Sequence, residues 1–80
     1  MPEVLRQGSF VVRVLLPPRE HGPAHVHVWC PEGAVVIELE PVVWIREIHG
    51  NVKGSTLRAI VDAVTERRDD CLDAWRRYHG

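Results

Sequence analysis

The sequence predicts an α+β fold: a small, mostly antiparallel sheet of about four strands with one long or broken C-terminal helix packed on one face. Three observations predict it. Between Phe10 and Ile48, β-branched and aromatic residues recur in short runs at the two-residue period of a strand. Proline and glycine clusters punctuate those runs. After Lys53-Gly54 the apolar residues change to helical spacing and keep it to Tyr78.

Gly8-Ser9 precedes the first strand, Phe10 to Leu16, which Pro17-Pro18 must end because proline cannot continue a sheet ladder. A loop from Pro17 to Pro23 holds Arg19, Glu20 and His21. The second strand, His25 to Cys30, alternates imidazole and valine. Pro31-Glu32-Gly33 is a turn signal, and Ala34 to Glu40 follows with Val35, Ile37 and Leu39 on one face and Val36, Glu38 and Glu40 on the other. After Pro41, Val42 to Ile48 forms the fourth strand, closed by His49-Gly50-Asn51.

In the helix, Ser55 or Thr56 is the expected cap, and Leu57, Ile60, Val61, Val64, Cys71, Leu72, Trp75 and Tyr78 form the apolar stripe. The stripe lapses at Arg67-Arg68. A single helix of roughly 24 residues would be about 36 Å long, more than short strands need to cover them. A bend near Arg68-Asp69 is therefore expected, with Asp69 available to cap a second segment.

Eighty residues make one domain, 1–80, near the lower size limit for an apolar core without staples. At 45% hydrophobic and 26% charged, the chain is globular in composition. Ten basic and eleven acidic side chains leave a formal charge of −1, which disfavours nucleic acid as a partner held by phosphate neutralisation. Arg67, Arg68, Arg76 and Arg77 are interleaved with Glu66, Asp69, Asp70 and Asp73, the pattern of a solvated helix face. Two cysteines, Cys30 and Cys71, make neither a C-x-x-C pair nor a disulfide scaffold. A reduced, cytoplasmic chain with no membrane anchor is expected, since there is neither a signal-peptide pattern nor a long apolar run.

The segment that carries chemistry is Gly22-Pro23-Ala24-His25-Val26-His27-Val28. A hairpin register that puts the apolar sides of both strands on one face can pair Val28 with Ile37 and Val26 with Leu39, leaving a four-residue loop. His27 then stands opposite Glu38 and His25 opposite Glu40, on the face away from the helix. Carboxylates so placed would favour the protonated imidazoles.

Three readings of this cluster stand side by side. Alternating histidines can be polar outward residues or part of a subunit interface. They can hold a divalent metal, a cofactor that the pattern allows without specifying, because His25 and His27 lie about 7 Å apart along one face, with His21, Glu38 or Cys30 as further candidate ligands. They can also be catalytic, with His25 or His27 as general acid or base oriented by Glu38 or Glu40. No nucleophile motif accompanies them, and Cys30 falls on the valine face. The alternate-histidine run of the histidine-triad hydrolases would need a third histidine where Trp29 stands. No P-loop, dinucleotide fingerprint or H-E-x-x-H is present.

Trp75 and Tyr78 belong to core or interface packing by their helical spacing. Trp29 shares the histidine face, an amphipathic combination that suits a protein partner or self-association.

Met1-Pro2-Glu3-Val4, Gly8, the Gly22–Val28 motif and the closing helix with Leu72 and Trp75 together resemble the bacterial and archaeal domain-of-unknown-function family 4160. This chain has Ala24 and Val26 where that family more often has proline and phenylalanine. The resemblance maps the family's His-x-His onto His25 and His27. It implies a small cytoplasmic prokaryotic protein, often encoded beside another small domain in an arrangement similar to toxin–antitoxin pairs, and it implies no particular reaction. An interaction component of such a module is the leading expectation. A metal-dependent or histidine-based hydrolase acting on nucleotide or RNA is the alternative.

Overall fold

The structure, a computed structural model, describes residues 3–15 and 22–79. Leu16 and the loop residues 17–21, among them the metal candidate His21, lie outside the described residues. Five strands, β1 (Glu3–Gln7), β2 (Phe10–Arg13), β3 (His25–Cys30), β4 (Gly33–Glu38) and β5 (Trp44–Gly50), precede two helices, α1 (Gly54–Glu66) and α2 (Arg68–His79). The strands form one sheet in chain order, and each neighbouring pair is antiparallel. The α+β class is as the sequence predicts, with one strand more. The addition is β1, whose Glu3-Val4-Leu5-Arg6-Gln7 buries only Leu5. An edge strand with one buried side chain shows almost no alternation in its sequence.

One sheet face carries the core. Val12, Val28 and Val35 form a row across three strands, with Val26 opposite Ile37 in the next, and all five are fully buried. Phe10, Val14 and Leu39 extend that layer, and Ile60, Ala63, Val64, Cys71 and Leu72 of the helices close it. The faces match expectation, but the register does not. Val28 pairs with Val35 and Val26 with Ile37, so His25 stands opposite Glu38, and His27 opposite Val36. The expected His27–Glu38 and His25–Glu40 pairs are corrected by a shift of two residues, which preserves every face.

The reason for the shift is a tighter turn. Only Pro31 and Glu32 separate β3 from β4, and Cys30 pairs with Gly33. Gly33 (φ +151°) also pairs with Gly50 (φ +94°) on β5, where the absence of both side chains lets three strands meet closely.

Helix α1 begins without a side-chain cap from its own N-terminus, so neither Ser55 nor Thr56 caps it as expected. The carboxylate of Glu32 does this work from the β3–β4 turn. Its Oε2 accepts from the Lys53 backbone N–H at 3.2 Å and from the Thr56 hydroxyl at 3.3 Å, an acidic group placed at the positive end of the helix dipole. The bend falls at Arg67, which alone separates the helices. Arg67 Nε bonds Asp70 at 2.6 Å, and Arg68 Nε donates to the Leu39 carbonyl at 2.7 Å, fixing the bend to the end of β4. Asp69 lies in the first turn of α2. No helix among the described residues is long and apolar enough to cross a membrane.

Cys71 sits in this core, and burial, with Asp70 adding to it, pushes its thiol up to about 11 from an ordinary 9.0. A raised folded-state value means that only the unfolded chain readily ionises the thiol. The associated stability is complete below about pH 9 and is lost as pH rises toward 11. Urea midpoints measured across that window should fall in the wild type more than in Cys71→Ala, which lacks the thiol. Parallel decline of the two would show that Cys71 has no part in the alkaline loss.

Candidate functional site

The histidines of β3 belong to a continuous row of rings. His79 and Trp75, one turn apart on α2, stack at 3.8 Å between ring centres and 10° between planes. Trp75 meets His25 at 4.8 Å, His25 meets His27 at 5.3 Å, and His27 stacks on Trp29 at 5.7 Å and 25°. The Arg13 guanidinium carbon lies 6.0 Å from the centre of the Trp29 ring, at the outer reach of a cation–π contact. Strand alternation supplies the β3 rings, the four-residue helical repeat supplies the α2 pair, and both run to the end of the sheet where β2 leaves and β3 enters.

Two hydrogen bonds fix the ring nitrogens. His25 Nδ1 lies 2.8 Å from the Pro23 carbonyl and His79 Nε2 lies 2.7 Å from the Leu15 carbonyl. A carbonyl only accepts, so each of those nitrogens carries its proton. His25 is 2% exposed. It is not on a face away from the helix, as the sequence suggested, because α2 reaches that end of the sheet and lays Trp75 against it.

Of the candidate residues, the structure brings together His25 and His27, and sets Glu38 across from His25. The Glu38 carboxylate is engaged elsewhere: Oε1 accepts from Trp44 Nε1 at 3.1 Å, and Oε2 lies 3.7 Å from Arg46 Nε. Glu40, exposed beyond the end of β4, lies 3.6 Å from Arg76 instead of facing an imidazole. Cys30 is on the opposite face at the far end of β3, where its thiol donates to the Gly33 carbonyl at 3.4 Å. Among the described residues no group of three His, Cys, Asp or Glu side chains could hold a metal ion.

Sequence reasoning missed His79, although its spacing of four from Trp75 on one helix was the available signal. It also missed the importance of β5. That strand is exposed along its length except for half-buried Ile45. Val42 (63% exposed), Trp44 (46%) and Ile48 (46%) put three large apolar side chains in solvent on or beside it. A groove of about 510 Å³ opens between β5 and α1, lined by Ile45, Gly54, Leu57, Arg58, Val61 and Asp62. While α2 packs against β1 and β3, neither helix packs against β5 to a comparable extent.

No curated protein and no solved structure matches the chain. A family model does match, across residues 10–76, from the first residue of β2 almost to the end of α2 and including the whole histidine strand. By that match the chain belongs to the family described as a domain of unknown function, DUF4160.

Proposed function

We propose that this protein is an interaction component, cytoplasmic and part of a toxin–antitoxin-like module, whose contact surface is the β5 edge and the groove behind it. The observation that carries the reading is the concentration of exposed apolar side chains on β5. An edge strand offers unpaired backbone groups to another chain, and proteins ordinarily blunt such edges. Here Trp44, Ile48 and Val42 are exposed instead, next to an apolar groove. Peptides commonly add to sheet edges in this way, with backbone hydrogen bonds giving affinity and neighbouring pockets giving selectivity. The ring row has a different character: its members are largely spent on packing one another.

The test first reads the sequence on either side of this gene and uses the product of a small open reading frame found there. Calorimetric titration of the two purified proteins is expected to show binding that Trp44→Ser with Ile48→Ser weakens about tenfold or more. Co-expression is expected to relieve a growth arrest caused by one of the pair. Unchanged affinity in the double variant removes β5 from the interface.

The second reading, a metal-dependent or histidine-based hydrolase acting on nucleotide or RNA, has one observation in its favour. The His25–His27 ring separation of 5.3 Å lets two imidazoles approach a common ion, and His25 Nδ1–H is already held by a backbone carbonyl, as the second nitrogen of metal-binding histidines usually is.

A further inference from the structure

We propose that the occupant of the β5 edge is a second copy of this chain, paired antiparallel about a two-fold axis perpendicular to the sheet. The two five-stranded sheets then join into one, with the helices of both copies on the same side. This inference rests on reading β5 as an interaction surface and names its partner.

A two-fold interface must be complementary to itself. β5 reads Trp44-Ile45-Arg46-Glu47-Ile48-His49-Gly50, and its first six residues are chemically palindromic about the Arg46–Glu47 peptide. Antiparallel pairing about that point sets Arg46 against Glu47 of the second copy, Ile45 against its Ile48, and Trp44 against its His49. By symmetry each match is made twice. They are an opposite-charge pair, an aliphatic pair and an aromatic pair, the kinds of cross-strand neighbour that stabilise antiparallel sheets.

Direct neighbours in such a pair must also share a face. In a regular strand Ile45 and Ile48, three apart, would point to opposite faces and the palindrome would fail. A β-bulge repairs it. Val36 pairs with Glu47 but Ile37 pairs with Ile45, leaving Arg46 as the extra residue. Ile45 and Ile48 consequently stand across from Ile37 and Val35, on the helix-covered face, while Trp44 and His49 stand across from Glu38 and Ala34, on the histidine face. Arg46 leans to the histidine face too, with its Nε 3.7 Å from Glu38 Oε2 and 3.8 Å from Glu47 Oε2. All three matches therefore join residues on one face. The second copy's Ile48 would lie beside Ile45 at the mouth of the groove, giving cover to two apolar side chains. The opposite edge, β1, is not equivalent, because α2 packs against it.

Charge reversal tests this geometry without touching the core. By analytical ultracentrifugation the wild type is expected to be a reversible dimer. Arg46→Glu and Glu47→Arg should each weaken self-association by about ten- to a hundredfold, because each sets like charges opposite one another twice. Combining both substitutions in one chain should restore it. Mixing the two single variants should give a heterodimer, since one copy then carries only negative and the other only positive charge at the pairing centre. Circular dichroism and melting temperature confirm that each variant is folded. A wild type that stays monomeric at its highest soluble concentration overturns the proposal, as do single variants that dimerise normally or a mixture that does not associate. If the chain is monomeric yet the Trp44 and Ile48 substitutions abolish binding of the neighbouring gene product, self-pairing falls and the interaction reading stands. If neither association responds to β5 substitutions, both fall.

Discussion

Gly33→Ala is expected to remove about 3 kcal/mol or more of folding stability, a large part of the roughly 4–12 kcal/mol an 80-residue domain has in total. A Cβ on Gly33 would land on the backbone carbonyl of His49, which cannot give way as a flexible side chain could. The backbone there is at φ +151°, so alanine would be strained even with space available. Gly50→Ala meets the Glu32 carbonyl from the other side, at φ +94°, and is expected to follow closely. Gly54→Ala is the control: it opens α1, has open space at its Cβ, and should be neutral or slightly stabilising. Urea denaturation of the three variants gives the ranking. A Gly33→Ala protein within about 1 kcal/mol of wild type would mean that β5 does not meet β4 as described. The consequence reaches function, because the Gly33–Gly50 contact sets where the β5 edge ends.

The same turn shows why some of this fold was legible in the sequence and some was not. Alternation in His25–Cys30 and Val35–Leu39 assigns each side chain to one side of the sheet, and those sides hold, although the histidine side is not free of the helices: Trp75 of α2 lies against His25. Alternation is indifferent to a slip of two, however, and the length of the turn chooses between registers: with only Pro31 and Glu32 between the strands, Cys30 pairs with Gly33. That choice moved Glu38 from His27 to His25 and sent Glu40 to Arg76. The helix bend was readable because Arg67-Arg68 interrupt an apolar stripe. Its cap was not, since Glu32 comes from a turn more than twenty residues earlier. Leu5 of β1 is a lone buried residue in a charged segment, too little for periodicity to register. The β5 surface was hidden for a related reason. Its bulge breaks the two-residue period, and no local pattern says that a strand is an edge.

His25→Ala is expected to cost about 2–4 kcal/mol, although a histidine in an H-x-H motif invites a purely functional reading. The side chain is 2% exposed and packed between His27 and Trp75, so truncation leaves a cavity beside two rings. It also removes the donor that satisfies the Pro23 carbonyl at 2.8 Å, a bond worth about 1 kcal/mol. The two parts can be separated. Asparagine can place an N–H near the position of Nδ1 without a ring, so His25→Asn should recover about the hydrogen-bond share and leave the packing loss. His27→Ala, at a half-buried position opposite Val36, should cost less than either. This ordering belongs to a structural pillar that ties β3 to α2 through Trp75 and His79. A metal site would behave differently. Added zinc or cobalt would raise the melting temperature of the wild type by linkage, and both His25→Ala and His27→Ala would abolish that gain. Thermal melts with and without the ions, run beside the three variants, therefore decide between a histidine that holds the fold and one that holds an ion. A metal-dependent rise lost equally in both alanine variants would displace the packing account of the motif.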